Sequence, residues 1–194
     1  YHIWPYGSAY GPCNTGFSDL DPILNSPDID ALCTPLGYIH RNPGGLYNHH
    51  NLAATLRLHG KLFYTEDDTF THRAKWTPWR YCCKDAEDTL NILRRNLAGA
   101  LCEGATQWWM DHDSGNWYLD EKTEAGIAEM VRLADKAFTH DRSSCAEVAL
   151  ITSEASFRIL RQSPELIDQL WPKTQTELLR IGAPVDFVRI QDLG

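Results

Sequence analysis

Glu66, Asp67 and Asp68 close the apolar run "KLFYTEDD", and three consecutive acids at a strand end either face water or serve chemistry. Period-two alternation puts Leu62, Tyr64 and Glu66 on one face of that strand. If Leu62 faces a barrel interior, Glu66 sits at its mouth. A carboxylate held there by the strand and screened from solvent suits a nucleophile or a general acid/base. Asp67 and Asp68 then point elsewhere, toward Arg73 or Arg80. A solvated acidic loop is the plainer alternative for the same residues.

Three other groups could assist such a carboxylate. In "WWMDHDSGNWY" the adjacent Trp108 and Trp109 face opposite ways on a strand, one toward the site and one toward a helical layer, followed by Asp111 and a Gly-containing turn. Aromatic faces outside the core suit flat apolar partners such as sugar rings, and Trp108, Trp109 and Trp117 are expected outside it. "GYIHRNPGG" brings Tyr38, His40 and Arg41 onto one loop, which either presents donors to hydroxyls or merely connects. His49, His50, His59 and His72 show neither HxH nor HExxH spacing, so hydrogen-bonding or surface roles are expected and no metal. The six Cys, at 13, 33, 82, 83, 102 and 145, form no CxxC and read as mostly buried free thiols, with a metal cluster at Cys82 and Cys83 as the minor alternative.

The elements that must position these residues alternate. Residues 1–6 read as a strand entered without an initiator Met, which leads us to expect a natural start upstream. A Gly-rich loop follows, then a short helix in "SDLDPILNS" capped by Ser18, and a buried strand over residues 29–34 stopped by Pro35. Leu52, Leu56 and nearby Ala keep helical spacing up to Gly60, and "KLFYTEDD" is the third strand. Leu90, Leu93, Leu97 and Leu101 make a helical stripe over residues 85–101, "ATQWWMD" is the fourth strand, and residues 121–138 form another amphipathic helix. Past the polar "HDRSSC", "EVALITSE" reads as a continuous buried strand, "PELIDQLWPKTQTELLRIG" as a helix interrupted at Pro172, and "PVDFVRI" as a strand. That order describes half of a β/α barrel or an open doubly wound sheet over residues 1–140, then the βαβ start of a second α/β unit over residues 141–194.

Bulk composition narrows the function. The 194 residues carry a net charge of −8, from 18 Lys and Arg against 26 Asp and Glu, without a basic run, so no nucleic-acid partner is expected. No stretch approaches the ~18 apolar residues of a membrane span, so no membrane partner is expected either. A nucleotide-binding doubly wound protein needs GxGxxG or GxxxxGK[ST], and neither occurs.

Four blocks, "SPDIDALCTPLGYIHRNPGG", "LRLHGKLFYTEDDTFTH", "LRRNLAGALCEGATQWWMDHDSGNWY" and "EVALITSEASF…LLRIGAPVDFVRIQDL", in this order and spacing, resemble the β-galactosidase-like glycoside hydrolases close to family 42. The resemblance covers the C-terminal half of the catalytic (β/α)8 TIM barrel and the start of the trimerisation domain. It implies a retaining glycosidase with one Glu after strand four as acid/base and one after strand seven as nucleophile. Glu66 falls at the strand-seven position. The resemblance also implies subsite roles for Trp108, Trp109, Tyr38, Arg41, His72 and Asp111, a flavodoxin-like tail, no cofactor, a carbohydrate substrate and homo-oligomers, either family-like trimers of the full-length form or self-pairing of this piece. Phe70 stands where relatives tend to have Arg, and the acid/base Glu is expected upstream of Tyr1. A retaining hydrolase needs two carboxyls about 5 to 5.5 Å apart, so this chain alone is expected to be inactive. The alternative is a non-catalytic carbohydrate-binding or oligomer-assembly protein with a degenerate barrel.

Overall fold

The computed structural model describes residues 19–75, 81–112, 115–160 and 164–193. The strand expected over residues 1–6, the Ser18 cap and Arg80 lie outside them. Helix α1 (Asp21–Leu24) starts at Leu20 without a side-chain cap, while Asp19 accepts from the Asp21 amide at 3.2 Å. Strand β1 (Ala31–Pro35) follows, then helix α2 (Ala53–Leu58), strand β2 (Leu62–Asp67), helix α3 (Ala86–Cys102), strand β3 (Thr106–Trp109) and helix α4 (Glu121–Ala137). Asp85 and Asp120 cap the two long helices by accepting from the Asp88 and Thr123 amides, which satisfies donors the first turns leave open. Gly60, at φ +65°, ends the α2 segment in a conformation open to glycine at little cost.

The chain is an α/β protein, and its described residues form two parallel sheets. β1, β2 and β3 pair in that order, with Glu66 opposite Pro35 on one side and Trp108 on the other. Pro35 was expected to stop β1 and is instead its last residue. The next amide, Leu36, donates to the Glu66 carbonyl at 3.0 Å, so the missing Pro35 N–H points away from β2, where no described strand needs it. The second sheet pairs β4 (Val148–Thr152) with β5 (Val185–Arg189). Between them run α5 (Glu154–Leu160), α6 (Pro164–Asp168), a π-helical turn over Gln169–Lys173 containing Pro172, and α7 (Thr174–Leu178). A 3-10 turn, Ile190–Asp192, closes the described chain. β4 is not buried throughout as its sequence suggests. Leu150 and Thr152 turn inward while Ala149 and Ile151 lie exposed, because a two-stranded sheet covered on one side buries only alternate residues.

One core joins both sheets. Leu20, Leu32, Leu56 and Phe63 from the first part pack in a single cluster with Phe157, Trp171 and Phe187 from the second. The expected division between residues 140 and 141 falls in an exposed stretch, but the apolar packing runs across it. A second cluster, Leu90, Leu93, Leu97 and Met130, binds α3 to α4. The α4 backbone approaches α3 closely at Gly126, where an added Cβ would overlap Leu90 Cδ2. Gly126→Ala should therefore destabilise the chain by about 1–3 kcal/mol through overpacking, read as a lower urea midpoint. An unchanged midpoint would refute the close approach.

Candidate functional site

Alternation along the three parallel strands separates two faces. Leu32, Phe63 and Thr65 face the helices and are buried, whereas Leu62 is 67% and Trp108 40% exposed on the other side. Glu66 lies on that second side, at the C-terminal end of the middle strand, 9% exposed. Such strand ends, held by a full hydrogen-bond ladder, fix a side chain better than a free loop does.

Cys33, opposite Tyr64 in the register, shares this face. Trp108 Nε1 donates to its sulfur at 3.3 Å, orienting the indole across β2 while leaving much of the ring accessible. Burial pushes the Cys33 thiol up, and the Glu66 charge adds to that against the opposing Trp108 hydrogen bond. The sulfur therefore stays a neutral thiol and acts as an acceptor rather than a nucleophile.

Asp67 takes the opposite face and is fully buried. Its Oδ1 accepts from the Thr69 amide at 3.1 Å, and its Oδ2 accepts from Asn96 at 2.9 Å and Gln107 at 3.0 Å. Burial pushes its carboxyl up, and the hydrogen bonds from Thr69 and Asn96 hold it back only in part. Asp68, 1% exposed, pairs with Arg41 Nη2 at 2.5 Å. These two acids were expected to be directed toward Arg73 or Arg80. Asp67 is instead tied to α3 and β3 and Asp68 to Arg41, while Arg73 donates to the Asn116 carbonyl. Neither acid is solvated.

The remaining candidates anchor loops. Arg41, 8% exposed, donates to the carbonyls of Leu36, Gly37 and Asp68, and its guanidinium lies 4.5 Å over the Tyr38 ring. It fastens the loop after β1 to the end of β2. Tyr38 also meets the edge of His50, with ring centroids 5.3 Å apart. His72 bonds Thr89 Oγ1 at 3.0 Å and faces Asp120 at 3.5 Å, joining the starts of α3 and α4. Asp111 Oδ1 accepts from the Gly115 and Trp117 amides and borders a shallow cavity with Asn116, Tyr118 and Glu124. Trp109 packs into the α3–α4 cluster, so of the two adjacent indoles Trp108 shares the Glu66 face. Trp117, expected outside the core, is 6% exposed, because Phe70 packs edge-on against it at 4.6 Å and Thr71 holds its carbonyl.

The described cysteines are all free, but only Cys33 and Cys83 are buried; Cys102, the last residue of α3, and Cys145, in the stretch after α4, are exposed. Cys82 is half-buried, and burial pushes the Cys83 thiol up to about 11. Among the described residues no group of three or more His, Cys, Asp or Glu is placed to hold a metal ion, and no helix is long and apolar enough to cross a membrane. Sequence reasoning missed Cys33, although alternation in "ALCTP" carries the signal. It also missed Asn96 and Gln107, for which nothing local does.

His50 sets an acid limit on this region. Burial, helped by the Arg41 and His49 charges, pushes its imidazole down to about 3. The unfolded chain binds this proton near pH 6.5 and the folded chain does not, so the contribution is complete above pH 6.5 and is lost as pH falls toward 3. The expected slope is at most about 1.4 kcal/mol per pH unit. His50→Gln should flatten the fall in urea stability between pH 7 and pH 4, and an unchanged slope would assign that fall to other groups.

No protein-family model matches the chain, and neither a curated protein nor a solved structure does.

Proposed function

We propose that this chain is the C-terminal half of the catalytic barrel of a β-galactosidase-like retaining glycoside hydrolase, followed by the start of a flavodoxin-like assembly domain. The observation that carries the reading is the Glu66 carboxylate at the C-terminal end of the middle parallel strand, on the sheet face away from the helices, beside the half-exposed Trp108 indole. In this reading the three strands are the sixth, seventh and eighth of a (β/α)8 barrel, whose active sites open at the C-terminal ends.

The chemistry follows from the two side chains. Trp108 stacks on the apolar face of a sugar ring and holds the anomeric carbon against Glu66. Glu66 attacks that carbon as the glycosidic bond breaks, while a second carboxyl about 5 to 5.5 Å away, supplied by an upstream strand of the full-length form, protonates the departing oxygen. Water then releases the sugar from the ester, with the second carboxyl acting as base. The buried Asp67 and Asp68 are structural: their hydrogen bonds and ion pair hold the strand end that carries Glu66.

Mechanism-based labelling tests the reading. A panel of 2-deoxy-2-fluoro glycosides, applied to the full reading frame and to the 194-residue chain, should add one fluoro-sugar mass to the Glu66 peptide in the long form only. A label on a different carboxyl would move the nucleophile away from Glu66, and no label on any carboxyl from any sugar in the panel would move a non-catalytic carbohydrate-binding or assembly role to first place.

A further inference from the structure

A second cavity lies away from Glu66, at the carboxyl ends of the β4–β5 pair. It is a partly open cleft of about 400 Å³ between β4, α5 and the π-helical turn. That volume is within the ~300–1,000 Å³ range of small-molecule sites, which are largely apolar with a few convergent polar groups. Crevices outside the carboxyl ends of parallel strands are also where open α/β sheets take ligands.

Its lining has that character. Leu150, Phe157, Leu160 and Trp171 form apolar walls, and among the described residues no charged side chain reaches it. Trp171 is 2% exposed and meets the Phe157 ring edge-on at 6.3 Å, so packing holds this wall in place. The π-helical turn gives the rim its shape: Pro172 has no amide to donate, and Thr174 Oγ1 reaches back to the Gln169 carbonyl at 2.8 Å. π-turns of this kind recur at functional sites.

Ser153, Ser156 and Thr174 also border the cavity, and among the hydroxyl-bearing residues there Thr152 supplies the buried polar point that lacks a partner. It is the last residue of β4, 5% exposed, and lines the cavity. Its hydroxyl is buried without a hydrogen-bond partner, a cost of about 1–3 kcal/mol that a ligand can relieve. We infer that this cavity binds a small neutral molecule, an apolar ring bearing one hydroxyl, with the ring against Trp171 and Leu150 and the hydroxyl on Thr152 Oγ1. Among the described residues no lining charge is present to compensate the lost hydration of an anionic or cationic ligand, which favours a neutral one. The site is independent of glycoside hydrolysis.

Phenol and toluene, the same ring with and without the hydroxyl, are the probes. Titrated into the 194-residue chain, phenol should shift the Thr152 methyl and Trp171 indole NMR signals saturably, with a dissociation constant on the order of 1 mM. Toluene should bind roughly tenfold more weakly. Thr152→Val keeps the side-chain shape and removes the orphan hydroxyl, so it should fold, as its thermal melt will show, and should reduce phenol to the affinity of toluene. No saturable shift at these two signals, or equal phenol affinity in Thr152→Val, would overturn the assignment.

Discussion

Glu66→Gln in the full reading frame should abolish glycoside hydrolysis, lowering kcat by on the order of 10⁴-fold or more, while sugar binding persists. The amide keeps the size of the carboxylate at a position that is 9% exposed between Pro35 and Trp108, so packing and the Trp108 to Cys33 hydrogen bond should survive. What is lost is the anionic carboxylate oxygen that forms the glycosyl ester, since the neutral amide oxygen is a far weaker nucleophile. A purely structural role would instead lower stability and weaken binding together. The measurement is kcat on an activated aryl glycoside beside equilibrium binding of the product sugar. Residual hydrolysis within tenfold of the parent would remove Glu66 from the nucleophile position.

Arg189→Met should produce the largest loss of stability, about 3–5 kcal/mol, a large share of the ~5–15 kcal/mol that holds a domain folded. Arg189 is 1% exposed. It donates to Asp21 at 2.8 Å and to Asp192 at 2.8 Å, with Glu154 at 3.6 Å. Asp192 in turn accepts from Thr55 at 2.7 Å and pairs with His59 at 2.9 Å, so this network clamps β5 to α1 and α2 across the two sheets. Removing the guanidinium leaves Glu154 and Asp192 buried with their main cation gone. Adding Glu154→Gln should restore part of the loss by removing one of those charges. Urea denaturation of the single and double variants reads both effects, and a single-variant loss below about 1 kcal/mol would show that the clamp contributes little.

The same network has a defined acid limit. Burial raises the Asp192 carboxyl, but the hydrogen bonds from Arg189, His59 and Thr55 outweigh it and hold it at about 2. Its folded value lies below its unfolded one, so its contribution is present above about pH 4 and disappears as pH falls through 2. The His50 contribution is lost earlier, between pH 6.5 and 3, so the site region weakens before the clamp does.

Local patterns carried much of the architecture. The Leu90, Leu93, Leu97 stripe, Gly60 after α2, the amphipathic spacing over residues 121–138 and alternation in "KLFYTEDD" act over a few residues, and each element they indicate is present. Alternation also separated Trp108 from Trp109, because successive strand side chains must face opposite ways. At Trp117 and Asp67, where sequence reading failed, the cause was a partner far along the chain. Trp117 is buried by Phe70, 47 residues earlier in the numbering, and Asp67 finds Asn96 and Gln107, neither of which has a motif.

By itself, then, the sequence determined an α/β chain of alternating strands and helices, a carboxylate at a strand end, and that only one of two neighbouring indoles could share its face. These are consequences of side-chain period and helix-end chemistry, which depend only on near neighbours. Only the tertiary structure decided that Asp67 and Asp68 are buried braces, that Arg41 fastens two loops, that one core runs through both sheets, and that Arg189 sits in a closed set of charges. Buried polar groups must find partners wherever the fold brings them, and the Arg189 contact to Asp21 spans 168 residues of sequence, beyond the reach of any local pattern.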